Sequence, residues 1–118
     1  MSRGRSAAAE RLAESAPVFA ALGDATRLSL VARLSVEGPL SIVRLSDGAG
    51  VTRQAVTKHL DALAEAGLVR DSRRGRERIW ELEPGRLVRA RVSLDQISDQ
   101  WDATIGRLKT FVEDDSRP

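Results

Sequence analysis

Apolar residues recur every three or four positions along most of this chain, which is the spacing of one buried side of an α-helix. The first segments with this spacing are 7–16 and 17–23. Ser6 is placed to cap the first helix, while Pro17 suits the first turn of the second and Gly23 its end. The pattern therefore predicts two short helices at the start of the chain.

A third helix is predicted from Asp24, its N-cap, to the Gly38 and Pro39 pair that ends it. A helix with one broad apolar face packs that face into the core of a domain. The residues that form this face are Leu28, Leu30, Val31 and Leu34.

Two more helices follow with only a short turn between them. Ser41 is placed to cap the shorter one, which Gly48 and Gly50 end. Thr52 is placed to cap the longer one, which runs to Gly67 and whose apolar side is formed by Ala55, Val56, Leu60, Leu63 and Leu68. Two helices joined by about four residues that include glycine are typical of a helix-turn-helix.

The apolar period changes after Gly67, where two short runs rich in Val, Ile and Trp occupy 68–72 and 78–82. The residues between them include Gly75, which can adopt the positive φ of a tight turn. This pattern predicts a β-hairpin. With the preceding helices it indicates a mainly α fold with a small hairpin, a winged helix-turn-helix.

A long helix is predicted after Pro84 and Gly85, running through about Asp114. Its apolar positions alternate by three and four over more turns than a single small domain needs to bury. The residues of this seam are Leu94, Ile97, Trp101, Leu108 and Phe111. We therefore expect two copies of the chain to meet through this helix, aided by the N-terminal helix, as a homodimer.

Composition changes this picture mainly by exclusion. A chain of 118 residues that is 42% hydrophobic and 31% charged is ordinary for one globular domain. No apolar run reaches the roughly 18 residues that span a bilayer, and the first residues lack the apolar core of a signal peptide. We expect a cytoplasmic protein without a membrane partner.

The sequence has no Cys and a single His, His59. The absence of Cys excludes disulfides, thiolate metal sites and Cys nucleophiles. No phosphate-binding glycine loop or Ser-His-Asp set is present, so the sequence predicts neither an enzyme nor a cofactor. The acidic residues of the last helix have no His among them, and carboxylates alone bind transition metals poorly, so we expect no metal site.

The net charge of +2 is too small to indicate a nucleic-acid partner, so the placement of charge decides. The helix that Thr52 caps has a polar side formed by Arg53, Gln54, Thr57 and Lys58. Such a side is either solvated surface or a surface that reads DNA bases. Its position after a tight turn and before an Arg-rich hairpin favours bases, since Arg and Lys bond guanine, Gln bonds adenine and Thr meets thymine or phosphate.

Contacts with the DNA backbone are predicted around this helix. The Arg-rich hairpin suits phosphates or a narrow minor groove, and its alternative is solvated surface. His59 is either a packing residue or a phosphate donor, and the sequence leaves both open. The predicted backbone and wing contacts are Ser41, Thr52, His59, Arg73, Arg74, Arg76 and Arg78.

Three segments, LGDATRLSLVARL, VTRQAVTKHLDALAEAGLV and RRGRERIWEL, resemble in order and spacing the landmarks of the ArsR/SmtB-type winged-helix transcriptional repressors. The likeness covers Val18 to Pro84, and the Trp-containing last helix resembles one branch of that family. The resemblance implies a homodimeric cytoplasmic repressor that binds double-stranded DNA at a palindromic operator and dimerises through terminal helices.

Many regulators of the resembled family also release DNA when an inducer binds. Metal-responsive members keep cysteines in the first helix of the helix-turn-helix, a segment that here reads SIVRLSDGAG. The resemblance is therefore to the branch without metal-site cysteines. An inducer of this chain is then a small organic molecule of unknown identity, or is absent.

We expect four regions along the chain: an N-terminal arm and helix (1–16), the winged helix-turn-helix (17–84), a dimerisation helix (85–114) and a tail (115–118). The rival interpretation is a winged helix that contacts only other proteins. Because phosphate neutralisation makes DNA binding fall steeply with salt, a salt-sensitive shift of duplex DNA separates the two.

Overall fold

Residues 7–115 are described by the computed structural model, and they form six helices and three strands. In chain order the elements are α1 (Ala7–Glu14), α2 (Ala16–Leu22), α3 (Ala25–Glu37), β1 (Leu40–Ser41), α4 (Ile42–Ser46), α5 (Arg53–Glu65), β2 (Val69–Arg74), β3 (Glu77–Leu82) and α6 (Pro84–Asp115). The cap predicted at Ser6 and all but the first residue of the predicted tail lie outside the described residues. The mainly α fold with a small antiparallel sheet is the predicted fold class.

Side-chain caps start three of the helices at the predicted residues. The Asp24 carboxylate accepts a hydrogen bond from the Arg27 amide at 3.0 Å. The Thr52 hydroxyl oxygen accepts one from the Ala55 amide at 3.1 Å, and Ser41 caps α4 in the same way. Each bond gives a partner to an N–H group that the first helical turn leaves free. Local sequence therefore determines where α3, α4 and α5 begin.

The predicted hairpin is confirmed, and its strands are longer than predicted. β2 continues to Arg74 and β3 starts at Glu77, so the turn consists only of Gly75 and Arg76. Gly75 has a φ of +64°, in the left-handed region that favours glycine. The cross-strand pair of Arg74 and Glu77 has opposite charges, which supports pairing up to the turn.

The sheet has a third strand that the sequence does not predict. The two residues of β1 pair antiparallel with β3, Leu40 opposite Trp80 and Ser41 opposite Ile79, in the strand order β1-β3-β2. A segment of two residues has no alternating pattern of its own. The packing of α3 and α4 around the hairpin is what brings it against β3.

One apolar core joins the helices to the sheet. The inner side of α5 is fully buried through Val56, Leu60 and Leu63, and Trp80 of β3 is 1% exposed. Further core residues are Val18, Leu30, Leu34, Leu45, Leu68 and Val69. Complete burial of one large apolar side chain stabilises a fold by about 1.5–3 kcal/mol, so this core holds α5 and the hairpin against each other.

Leu28, which was expected on the apolar face of α3, is 52% exposed. The other members of that face, Leu30, Val31 and Leu34, are buried. With 3.6 residues per turn, Leu28 lies roughly 110° around the helix from the middle of the face that those three form. The buried face of α3 is therefore narrower than predicted.

α6 has two parts with different surroundings. Its first turns contact α1 and α2 and bury Ala90 and Ser93. Beyond Ser93, apolar side chains at Leu94, Ile97, Trp101, Leu108 and Phe111 are exposed. Although α6 has 32 residues, neither it nor any other described helix is long and apolar enough to cross a membrane.

Candidate nucleic-acid interface

The polar side of α5 faces away from the core at the start of that helix. Arg53, Gln54 and Lys58 are exposed, whereas Val56 and Leu60 on the other side are fully buried. The cap at the N-terminus and the anchored apolar side therefore fix which side chains α5 presents. An exposed α-helix of this kind fits the width of the DNA major groove, about 12 Å.

Thr57, the fourth predicted base-reading residue, is half-buried on the same side of α5. Its hydroxyl donates a hydrogen bond to the Arg53 carbonyl oxygen at 3.0 Å. The proton of this hydroxyl is thereby used within the helix, and the methyl group and oxygen lone pairs are what Thr57 offers a ligand. The structure brings all four predicted residues to one side of α5.

The wing tip carries three exposed arginines, Arg73, Arg74 and Arg76, around the turn between β2 and β3. Within residues 7–115, none of the three side chains forms a hydrogen bond or an ion pair. Their guanidinium groups remain able to bind phosphate oxygens, which Arg does with paired N–H donors.

Arg78 was predicted as a wing contact with DNA, and in the structure its guanidinium has partners within the protein itself. Its Nε donates to Asp71 Oδ2 at 2.6 Å and its Nη2 lies 3.7 Å from Asp61 Oδ1 of α5. The guanidinium carbon lies 4.5 Å from the centroid of the Trp80 ring. Arg78 therefore ties the wing to α5.

The charge pattern of the hairpin contains a clue to this arrangement. Asp71 and Arg78 lie on neighbouring strands, close to one another across the ladder, and the bond from Arg78 lowers the pKa of the Asp71 carboxyl. Arg70 is held likewise by Glu81 and Glu83, at 2.8 and 2.6 Å, which raises the pKa of its guanidinium. Ion pairs with Asp71, Glu81 and Glu83 thus distinguish the structural arginines from those at the tip, where Arg74 lies opposite Glu77 without an ion pair between them.

Ser41 was predicted to contact the DNA backbone and lies outside this surface. It is 8% exposed and pairs with Ile79 in the sheet. Its Oγ accepts a hydrogen bond from the Arg44 amide at 3.2 Å. Ser41 is therefore a cap inside the fold, whereas Thr52, the cap of α5, is exposed.

His59 connects α5 to the start of α3. Its side chain is 24% exposed, and its Nδ1 lies 3.4 Å from Arg27 Nη1 and 3.9 Å from Asp24 Oδ1. The Arg27 amide, and then the charges of Arg27 and His59, lower the pKa of Asp24. With Nδ1 directed at this cluster, a phosphate contact by His59 is left to Nε2 alone. Residues 32 positions apart meet here, which no local pattern indicates.

Two further features bear on the predicted partners. Across residues 7–115, no group of three or more His, Asp and Glu side chains is arranged to hold a metal ion.

On α6, the seam residues share one exposed side, with Trp101 63%, Leu108 58% and Phe111 69% exposed. An apolar side of this length in water favours burial against another surface.

Comparison with known proteins supports the same architecture. Residues 22–71 match a family model described as a helix-turn-helix domain. The HTH-type transcriptional regulator Rv2034 of Mycobacterium tuberculosis is 41% identical over 76 residues, which are 64% of this chain and 70% of that protein.

Two solved structures resemble the fold of this chain. An ArsR-like transcriptional regulator from Rhodococcus sp. RHA1 is 35% identical, with a TM-score of 0.70 over 84% of this chain and 92% of that one. The homodimeric winged helix-turn-helix DNA-binding domain of Mb0332 from Mycobacterium bovis is 22% identical, with a TM-score of 0.62 over 85% and 92% of the two chains. The chain matches Rv2034 and the Rhodococcus regulator through most of their length. This likeness shows that the chain belongs to the ArsR family of winged helix-turn-helix transcriptional regulators, which bind DNA and are not enzymes.

Proposed function

We propose that the chain is a cytoplasmic homodimeric repressor that binds a palindromic operator by placing α5 in the major groove. The observation that carries this proposal is the exposed polar side of α5 beside a wing tip whose three arginines have no ion-pair partner among residues 7–115. Arg53, Gln54, Thr57 and Lys58 read base edges. Arg73, Arg74 and Arg76 hold the flanking phosphates or the minor groove, and Thr52 adds a backbone contact at the start of α5.

Two copies of the chain meet through the apolar seam of α6, from Leu94 to Phe111. Residues 17–84 then form the DNA-binding unit and 85–114 the dimerisation helix. The exposure of the seam supports this assignment, as does the homodimeric state of the Mycobacterium bovis domain with a similar fold. A two-fold dimer places two α5 helices about one helical turn of DNA apart, roughly 34 Å, which is why its operator is palindromic.

The regulator does not respond to transition metals. Its sequence has no Cys and only one His, which already contacts Arg27 and Asp24, and carboxylates alone make weak sites for such metals. Zinc, cadmium or nickel added to the protein–operator complex should leave the DNA affinity unchanged. A stoichiometric metal that releases the DNA would contradict this part of the proposal.

DNase footprinting of the DNA upstream of its own gene is the direct test, because regulators of this kind often repress themselves. We expect a protected, two-fold symmetric site. The logarithm of the binding constant for that duplex, measured by fluorescence anisotropy, should fall by about 0.9 per phosphate contact for each tenfold rise in salt concentration. A scrambled duplex of equal length is the control. If neither duplex binds at low salt, the chain is a protein-interaction module instead.

A further inference from the structure

A cleft of about 510 Å³ opens between α1, α2 and the first turns of α6, on a different part of the molecule from the proposed DNA surface. Its volume is within the range of sites that bind small organic molecules. The apolar part of its lining is Val18, which is almost fully buried, and Val92 of α6. None of the proposed DNA-contacting residues and none of the five seam residues lines this cleft, although α1 and α6, which do line it, are the helices expected at the dimer contact.

The charged part of the lining has an excess of positive charge. Arg11 of α1 and Arg86 and Arg89 of α6 line the cleft, against the single carboxylate of Glu14. None of these four side chains forms an ion pair with another residue in 7–115. Three guanidinium groups beside an apolar floor favour a ligand that is anionic at one end and apolar at the other. Its anionic group would bind the arginines and its apolar body would lie against the valines.

The Arg86 side chain also packs against the backbone two residues beyond the end of α5. It lies across the backbone of Gly67, where an added Cβ would be 2.5 Å from Arg86 Cδ. Gly67 has a φ of +77° and follows the last residues of the helix that carries the base-reading side chains. A ligand that binds the Arg86 guanidinium in the cleft therefore moves a side chain that packs just beyond the C-terminal end of α5.

We propose that this cleft binds a small organic anion, with a carboxylate or phosphate group on Arg11, Arg86 and Arg89 and an apolar body on Val18 and Val92, and that this binding alters DNA affinity through Arg86. Its effect on DNA rests on the proposed function, whereas the binding itself does not. The class of ligand follows from the lining: guanidinium groups pair with planar or tetrahedral oxyanions, and the apolar floor disfavours a fully polar one.

The test is calorimetric titration of the full chain with 1-naphthoate, 1-naphthyl phosphate and the neutral 1-naphthalenemethanol. At least one anion should bind with one site per protomer and at least about tenfold more tightly than the alcohol, since a hydrogen bond to a charged group contributes about that factor. The tighter of the two anions identifies the head group. Equal binding of all three would show only adsorption to apolar surface and would overturn the proposal.

Arg89→Gln and Arg11→Gln should each weaken anion binding by about tenfold, and circular dichroism checks that both variants fold. Arg91→Gln is the matched control, because it removes the same charge from an exposed position of α6 that does not line the cleft. Equal weakening by the control means a general charge effect and contradicts the site. So does a second copy that fills the cleft, seen as a dimer that binds no anion.

The link to DNA is tested separately on the footprinted operator. Saturating anion should change the operator affinity by about fivefold or more, the lower end of usual couplings between sites. Arg86→Gln should remove that change. An unchanged affinity with the anion bound would overturn the link through Arg86, and an absence of any operator binding would instead count against the proposed function.

Discussion

Ser41 and Arg78 were both predicted to contact the DNA backbone, yet the side chain of each has partners inside the protein. The hydroxyl of Ser41 caps α4 and the guanidinium of Arg78 contacts Asp71, Asp61 and the Trp80 ring. A polar side chain beside a binding surface contributes to binding only if the fold leaves its donors or acceptors free. At this scale, burial and hydrogen-bond partners together separate structural residues from binding residues, since Thr52 forms the same capping bond as Ser41 but is exposed.

Ser41→Ala should lower the free energy of unfolding by about 1 kcal/mol, because the Arg44 amide loses its capping partner. The DNA affinity of the folded variant should stay at the wild-type value. Urea unfolding and operator titration measure the two quantities. A loss of DNA affinity at unchanged stability would restore Ser41 as a phosphate contact.

The Asp71 carboxyl should make the free energy of unfolding depend on pH in the acidic range. Its pKa lies below the ordinary value of 3.8, chiefly because Arg78 donates a hydrogen bond to it. A lowered folded pKa means that the carboxylate stabilises the fold above pH 3.8 and that this contribution is lost as the pH falls through the folded value. Wild-type protein should therefore lose more stability than Asp71→Asn between pH 6 and about pH 3 in urea unfolding.

The Arg78→Gln background provides the control for that comparison. With Arg78 absent, Asp71→Asn should change the pH dependence of stability much less, since Arg78 is the main cause of the lowered pKa of Asp71. Persistence of the full pH effect without Arg78 would assign it to another group.

At the scale of elements, α5 and the wing form one surface, for which we propose two kinds of DNA contact. The apolar side of α5 is buried through Val56, Leu60 and Leu63, which fixes the direction of its polar side. Arg78 bridges from β3 to Asp61 of α5, and Trp80 anchors β3 in the core. The helix and the wing are thus held at one angle. Removal of a side chain from the helix and from the wing should change DNA binding in different ways.

Gln54→Ala should cost roughly 1–3 kcal/mol of affinity for the operator and relax preference at particular base pairs, because it removes a base contact. Arg74→Ala should weaken operator and scrambled duplex by similar factors and lower the salt slope by about one unit, because it removes a phosphate contact. Anisotropy on both duplexes across a salt series measures these changes. Equal losses on both duplexes for Gln54→Ala would leave that side of α5 as solvated surface.

At the scale of the whole molecule, the long axis of 74 Å reflects the second half of α6, which extends away from the core. Its apolar residues are exposed within the described part of the chain, and Trp101, Leu108 and Phe111 are each more than half exposed. A second copy related by a two-fold axis would cover this seam with the same residues. In the proposed dimer, this contact would set the separation of the two α5 helices on DNA.

Trp101→Ala should weaken dimerisation at least tenfold, since truncation of a central aromatic interface residue typically costs 2 kcal/mol or more. The operator affinity of the variant should also fall at protein concentrations below its dimer dissociation constant. Val36→Ala is the control, because Val36 is 85% exposed on α3 and lies outside the seam. Sedimentation of the wild-type protein as a monomer at micromolar concentration would refute the assignment.

Much of this architecture follows from local sequence. The caps at Asp24, Ser41 and Thr52 and the glycine turn of the hairpin appear where the residues predict them, because each depends on atoms only a few positions away. The polar side of α5 follows equally from helical period. These features need no knowledge of what packs against them.

Tertiary structure decided which residues meet across the chain. β1, the contact of His59 with Arg27 and the bridge from Arg78 to Asp61 join segments far apart in sequence, and so does the cleft beside Arg86. Such contacts form because burial of the shared core brings those segments together, and the charge and hydrogen-bonding capacity of each side chain is then divided among its new neighbours. The sequence by itself determined that this chain has a helix-turn-helix with an arginine-bearing wing. Only the fold decided which polar side chains remain free to bind, because a side chain's availability depends on distant partners that local pattern does not encode.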